Sequence, residues 1–159
     1  MREVKYQAWF DGEMISDWYP RTQFRICTGW DNKIGLETFS TMEEGIFNGE
    51  TVALPVWKSA KGAKLRQYTG LKDRNGKEIY EGDILDCTCE LLTNFGRTRT
   101  GKMGTTIYEV FWRDGGWRER VIRSDSLVSG KDSDGVAVTA KYSKVIGNIH
   151  EHPHLLNQE

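Results

Sequence analysis

The run Gly96-Arg97-Thr98-Arg99-Thr100-Gly101-Lys102-Met103 has the G-x-x-x-x-G-K spacing of a loop that cradles phosphates. In such a loop a Ser or Thr follows the lysine and holds magnesium; here Met103 stands there. What comes next, Gly104-Thr105-Thr106-Ile107-Tyr108, reads as a strand, so no helix amino terminus is aimed at a phosphate. The run is expected to be a solvated basic hairpin loop. Cys87-x-Cys89 and His150-x-His152-x-His154 each space soft ligands by two, which on a strand places them on one face and would suit zinc. C-x-C is a poorer zinc motif than C-x-x-C, and the histidines run into Pro153, where a strand must end. The cysteines are expected to be small strand residues and the histidines to lie on an exposed tail. No metal and no cofactor is expected.

Basic side chains interleaved with aromatics point to a different chemistry. Arg97, Arg99, Lys102, Arg113, Arg118, Arg120 and Arg123 gather within the stretch 97–123, with Trp112 and Trp117 among them. Indoles stack on bases and guanidinium groups meet phosphates, as a single-strand groove requires. Against this, Glu109, Asp114 and Glu119 are interspersed and can pair with the arginines across a hairpin. A further surface is offered by Trp9, Trp18, Tyr19, Trp30 and Trp57, since a half-chain unable to bury such rings can bury them against another copy. Hydrolytic catalysis has little to work with. All three histidines sit at the carboxyl end, a poor place to hold a triad, and Glu81 and Asp83 read as turn carboxylates. No catalytic residue is assigned.

The elements that must position these groups read as strands. Val4, Tyr6 and Ala8 alternate with Lys5, Gln7 and Trp9, and Asp11-Gly12 followed by Met14-Ile15 predicts a hairpin. Phe24–Cys27 and Gly35–Phe39 are further strand pieces. Thr41-Met42-Glu43-Glu44 has capping-box form and predicts one or two helical turns, cut short by Gly45 and Asn48-Gly49. Residues 58–66 read as a linker and 93–104 as a polar loop. Asn75-Gly76 is a turn pair, and Gly82-Asp83 a tight bend from which a strand runs to about Glu90. Thr106–Arg113 and Trp117–Arg123 form a hairpin about Asp114-Gly115-Gly116, residues 129–135 a loop, and Val136–Thr139 and Tyr142–Ile149 the closing strands. Gly70, Asn75, Gly76, Gly82, Asp83 and Gly147 are taken as turn or structural positions.

The chain has 159 residues, 38% hydrophobic and 28% charged, which suits one domain that needs no metal or disulfide to hold its core. Net charge is −1, so bulk electrostatics gives no push towards nucleic acid or an anionic membrane. Met1-Arg2-Glu3-Val4-Lys5 does not read as a signal peptide, and Val52–Trp57 is too short to span a bilayer. Three cysteines, an odd number, fit a reducing cytosol.

Three stretches, MREVKYQAW, QYTGLKDRNGKEIYEGDIL and YSKVIGNIHEHPHLL, resemble the YopX family of uncharacterised phage and prophage proteins. The resemblance implies a mainly-β protein. It implies an N-terminal β-hairpin region over 1–66, an SH3-like barrel over 67–152, a tail over 153–159, and at most one or two short helices. It further implies a phage origin, residence in the cytoplasm of a bacterial host, and a homo-oligomer; no activity comes with it. Two functions are therefore expected in order: a non-enzymatic, self-associating binding or assembly module, and a nucleic-acid-binding protein using the 97–123 region.

Overall fold

The computed structural model describes residues 4–16, 24–28, 33–93, 97–126 and 130–157. The chain divides into two compact units: Lys5–Arg66, and Gln67–Glu159 together with Met1–Val4.

In the first unit β1 (Tyr6–Phe10) and β2 (Glu13–Ser16) form the expected hairpin, with Ala8 opposite Ile15. Asp11 and Gly12 both take left-handed backbone angles (φ 51° and 79°), which gives the turn the twist that antiparallel strands prefer. β3 (Phe24–Thr28), β4 (Ile34–Phe47) and β5 (Glu50–Ser59) make an antiparallel sheet in that order. Its base closes a small core of Ala8, Ile15, Leu36 and Ala60, with Phe10, Phe24, Ile26, Ala63 and Leu65 against it. Arg66 is buried there and donates from Nη1 to Gln7 Oε1 at 3.1 Å, so its charge is not left bare.

The capping box at Thr41–Glu44 does not start a helix. All four residues lie within β4, and Asn48-Gly49 (φ 50° and 85°) is the turn that leads into β5. A cap helps a helix only where an apolar stripe can be buried, and residues 41–47 offer only the single i, i+4 pair Met42 and Ile46 before Asn48-Gly49 ends the run. The alternation in Val52, Leu54 and Val56 instead favours a strand, and β4 and β5 pair from Glu37↔Ser59 to Phe47↔Glu50. The expected linker at 58–66 is also shorter than anticipated, since β5 runs to Ser59 and β6 (Lys64–Lys72) begins five residues later.

In the second unit β6 pairs with β7 (Glu78–Tyr80). The connecting turn has Gly76, not Asn75, at positive φ (83°). Gly76 N donates to Asp73 O at 2.9 Å and Asp73 N to Lys77 O at 2.8 Å. This is a three-residue loop with glycine in the left-handed place, rather than the two-residue turn that Asn75-Gly76 suggests. Gly82 (φ 78°) makes the next bend, and the Asp83 carboxylate accepts the Tyr80 N–H at 2.8 Å, so the side chain closes the corner it follows.

From there β8 (Asp83–Thr93), β9 (Thr98–Arg113), β10 (Gly116–Ser124), β11 (Asp132–Ser133) and β12 (Lys144–Asn148) form a five-stranded antiparallel sheet ordered β11-β10-β9-β8-β12. The polar stretch read as a loop over 93–104 is largely hairpin: Thr93 pairs with Thr98 and Leu92 with Arg99. Threonines suit a strand whatever their polarity. The loop expected over 129–135 likewise contains β11. One face of the sheet is covered by α1 (Val136–Tyr142), which replaces the strand expected at Val136–Thr139. Val136, Thr139 and Ala140 are its buried residues, the i, i+3, i+4 spacing of a helix face. With Ile79, Leu85 and Val110, the helix residues Val136 and Ala140 make the larger core, against which Leu71, Tyr108, Trp117 and Val145 pack.

In the closing segment His150 and His152 are half-buried, whereas Pro153, His154 and Leu156 are exposed. Asn148 is buried, and its Oδ1 accepts the N–H groups of His150 (3.0 Å) and Glu151 (2.9 Å). A 3₁₀ turn, Pro153–Leu156, follows. A Cβ on Gly147 would stand 2.8 Å from His152 Nδ1 and 3.1 Å from Leu155 Cδ1. Gly147 is therefore required by close approach. Gly147→Ala is expected to lower stability by about 1–3 kcal/mol through overpacking; a urea midpoint equal to wild type would contradict this contact.

Candidate association surface

The basic residues singled out above do not form one groove. Strand alternation turns Trp117 and Glu119 towards α1 and leaves Arg118 and Arg120 on the opposite face. There Phe111 lies beneath two guanidinium groups, with Arg113 Cζ at 5.3 Å and Arg120 Cζ at 4.9 Å from the ring centroid. Both arginines share one carboxylate: Arg113 Nη2 meets Asp132 Oδ2 at 2.7 Å and Arg120 Nε meets Asp132 Oδ1 at 3.0 Å. Hydrogen bonding from Arg120, then from Arg113, holds the Asp132 carboxyl below its ordinary range. Glu109 lies 4.0 Å from Arg120, and burial raises its pKa despite that neighbour. Arg118 pairs with Asp134. Arg97, Arg99 and Lys102 belong to the far end of the β8–β9 hairpin, and Arg123 is exposed near the end of β10.

Trp117 packs edge-on against Trp112 at 4.9 Å and lines a shallow groove of about 430 Å³ with Thr69, Gly70, Leu71, Asp134, Val136 and Ala137. Its walls are mainly apolar, and Asp134, its titratable side chain, is tied to Arg118. Glu119 is buried, accepting from Ser133 Oγ at 2.7 Å rather than pairing with an arginine. Nearby, burial and then the neighbouring Cys89 push the Cys87 thiol up to about 11, and burial with Glu119 raises Tyr108. Neither group is activated as a nucleophile at neutral pH. Among the described residues no three His, Cys, Asp or Glu side chains converge as a metal site. Iodoacetamide at pH 8 is expected to label exposed Cys89 well before Cys87, as read by peptide mass spectrometry. Equal rates would contradict the burial of Cys87.

The prominent surface feature is one the sequence did not single out. Beyond Phe39, β4 and β5 continue as a two-stranded ribbon to the turn at Asn48-Gly49, and almost every side chain on it is exposed or half-buried. Ile46 is 80% exposed, Phe47 65%, Met42 51% and Leu54 44%. The pairing register places Met42, Ile46, Ala53 and Pro55 on one face and Phe47, Val52, Leu54 and Val56 on the other. The candidate rings Trp9 and Trp57 are instead half-buried, Trp57 beneath Arg25 at 4.4 Å and beside Phe39 at 5.9 Å. Trp18, Tyr19 and Trp30 lie outside the described residues. A second ribbon end, at β8–β9, exposes Leu92 (51%) and Met103 (63%). The visible signal for the first ribbon was Asn48-Gly49 followed by the spacing of Val52, Leu54 and Val56, which the capping box obscured.

These features define a class: a mainly-β protein of two units with antiparallel sheets, one short α-helix among the described residues, and extended hairpins that leave apolar side chains in solvent. The YopX protein family model matches residues 27–157, and the chain belongs to that family. A solved structure, the crystal structure of protein EF1440 from Enterococcus faecalis, is 22% identical, covers 99% of this chain and 100% of its own, and superposes with a TM-score of 0.52. That likeness concerns the fold. No curated protein matches the chain. No helix among the described residues is long and apolar enough to cross a membrane.

Proposed function

We propose that this chain is a non-enzymatic accessory protein of phage or prophage origin that works in the cytoplasm of a bacterial host as a self-associating binding and assembly module. The observation that carries the proposal is the β4–β5 ribbon. A two-stranded ribbon is marginal in water unless one of its faces is covered, and this one bears apolar side chains on both. Burying an Ile or Phe side chain is worth about 1.5–3 kcal/mol, so a few such residues from each copy suffice to drive association. An SH3-like arrangement of the β8–β9–β10 meander belongs to the same proposal and would serve as scaffold rather than site. The nucleic-acid alternative has less support, because Arg113, Arg118 and Arg120 already face carboxylates on their own chain.

Sedimentation velocity at tens of micromolar tests the proposal. Wild type is expected to sediment well above the 18.3 kDa of one chain. Ile46→Asp with Phe47→Asp is expected to shift it towards monomer with an unchanged circular dichroism spectrum. A wild type that remains strictly monomeric would overturn the assembly role. Salt-dependent binding of single-stranded DNA by such a monomer would favour the alternative.

A further inference from the structure

The two exposed hairpin ends carry opposite charge. Residues 41–56 contain Glu43, Glu44 and Glu50 and no basic residue, and these three form no ion pair among the described residues. Residues 91–104 contain Arg97, Arg99 and Lys102 and no acidic residue. Glu90, just outside, accepts Gly101 N–H at 2.9 Å and lies 3.6 Å from Arg99, leaving an excess of positive charge at that end. Each end pairs its charge with uncovered apolar side chains: Met42, Ile46, Phe47 and Leu54 on the acidic ribbon, Leu92 and Met103 on the basic one.

An apolar patch ringed by one sign of charge selects a partner patch ringed by the other, since like charges brought together in a desolvated contact repel strongly. Two acidic ribbons from different copies would repel, and so would two basic ends. We propose that the acidic β4–β5 ribbon of one copy docks on the basic end of the β8–β9 hairpin of a second copy. This rests on the self-association proposed above and specifies its contact: a heterologous one, in which two different patches meet. Leu54 lies across the Gly45 backbone and Leu91 across that of Gly104, so each ribbon has a glycine over which a flattened apolar side chain sits. Such surfaces admit a second ribbon closely.

Paired charge reversals test the docking. Variant one carries Glu43→Lys, Glu44→Lys and Glu50→Lys, and both of its ends are then basic. Variant two carries Arg97→Glu, Arg99→Glu and Lys102→Glu, and both of its ends are acidic. Each alone is expected to associate at least about tenfold more weakly than wild type at low salt. An equimolar mixture is expected to regain association, because every contact between unlike variants is complementary again. If wild type associates but either variant alone associates equally well, or the mixture fails to recover, the docking is wrong while self-association stands. If wild type does not associate at all, the underlying assembly role fails first. Should a reversal disturb folding by circular dichroism, the Glu→Gln and Arg/Lys→Gln versions replace it. Their association is expected to be weaker than wild type at low salt and to lose its salt dependence, and an unaltered salt dependence would overturn the docking.

Discussion

Asp73→Ala is expected to destabilise the protein by about 3–4 kcal/mol, measured by urea unfolding followed through tryptophan fluorescence. The Asp73 carboxylate is buried and accepts three backbone N–H groups: Asn75 at 2.8 Å and Lys77 at 2.9 Å on Oδ1, and Val145 at 2.9 Å on Oδ2. It thus closes the β6–β7 turn and fastens that turn to β12. Removing the acceptor strands three donors, each costing about 1–3 kcal/mol where water does not replace the carboxylate. Two of the three lie in a turn that water can partly reach, so the sum falls below the upper bound. Burial alone would raise the Asp73 pKa, but the donors from Val145, Lys77 and Asn75, with the Lys77 charge, hold it below the ordinary carboxylate range. A depressed folded-state pKa adds stability that is present above the unfolded-state value near 3.8 and is lost as pH falls through the folded-state value. Asp73→Asn is therefore expected to be less stable at pH 7 and to show a shallower loss of stability on acidification below pH 4. A loss under about 1 kcal/mol for Asp73→Ala at pH 7 would mean that water takes over all three donors.

Leu85→Ala is the second large effect, expected at about 3–4 kcal/mol. Leu85 is fully buried on β8, paired with Tyr108 on one side and Val145 on the other, and belongs to the core of Ile79, Val110, Val136 and Ala140. A side chain held between two strands and under a helix leaves a cavity that its neighbours cannot easily collapse into. Leu54→Ala makes the contrast. Leu54 is exposed on the β4–β5 ribbon, so its truncation is expected to change the unfolding free energy of an isolated chain by less than about 0.5 kcal/mol, while weakening association. Equal effects of the two substitutions on a monomeric sample would contradict the division between core and ribbon.

Asp73 also shows what was legible in the sequence and what was not. Asp two residues before Asn75-Gly76 is an Asx-turn signal and locates the turn. That its second oxygen reaches Val145, seventy-two residues away, is invisible in sequence. Gly82-Asp83 was readable in full, because both the left-handed glycine and the amide-capping carboxylate act within three residues. Gly147 was readable as a structural position but not its cause, a ring that returns to it from His152. The basic and aromatic residues of 97–123 are close in sequence, yet pleating sends Trp117 and Arg118 to opposite faces, and Asp132 from a later strand pairs with both Arg113 and Arg120.

Alternating side chains and Asp-Gly, Asn-Gly and Gly-Asp corners were enough by themselves to determine a mainly-β chain and most of its hairpins, because each of these preferences is satisfied within a few residues. Tertiary structure alone decided three things: that Thr41–Glu44 extends a strand, that Val136–Tyr142 coils into a helix, and that Ile46 and Phe47 end in solvent. Each depends on whether a distant surface is there to pair with or to be covered. A strand partner outcompeted the capping box, an uncovered sheet face drew the helix onto it, and none of the described core residues of the first unit lies at the ribbon tip.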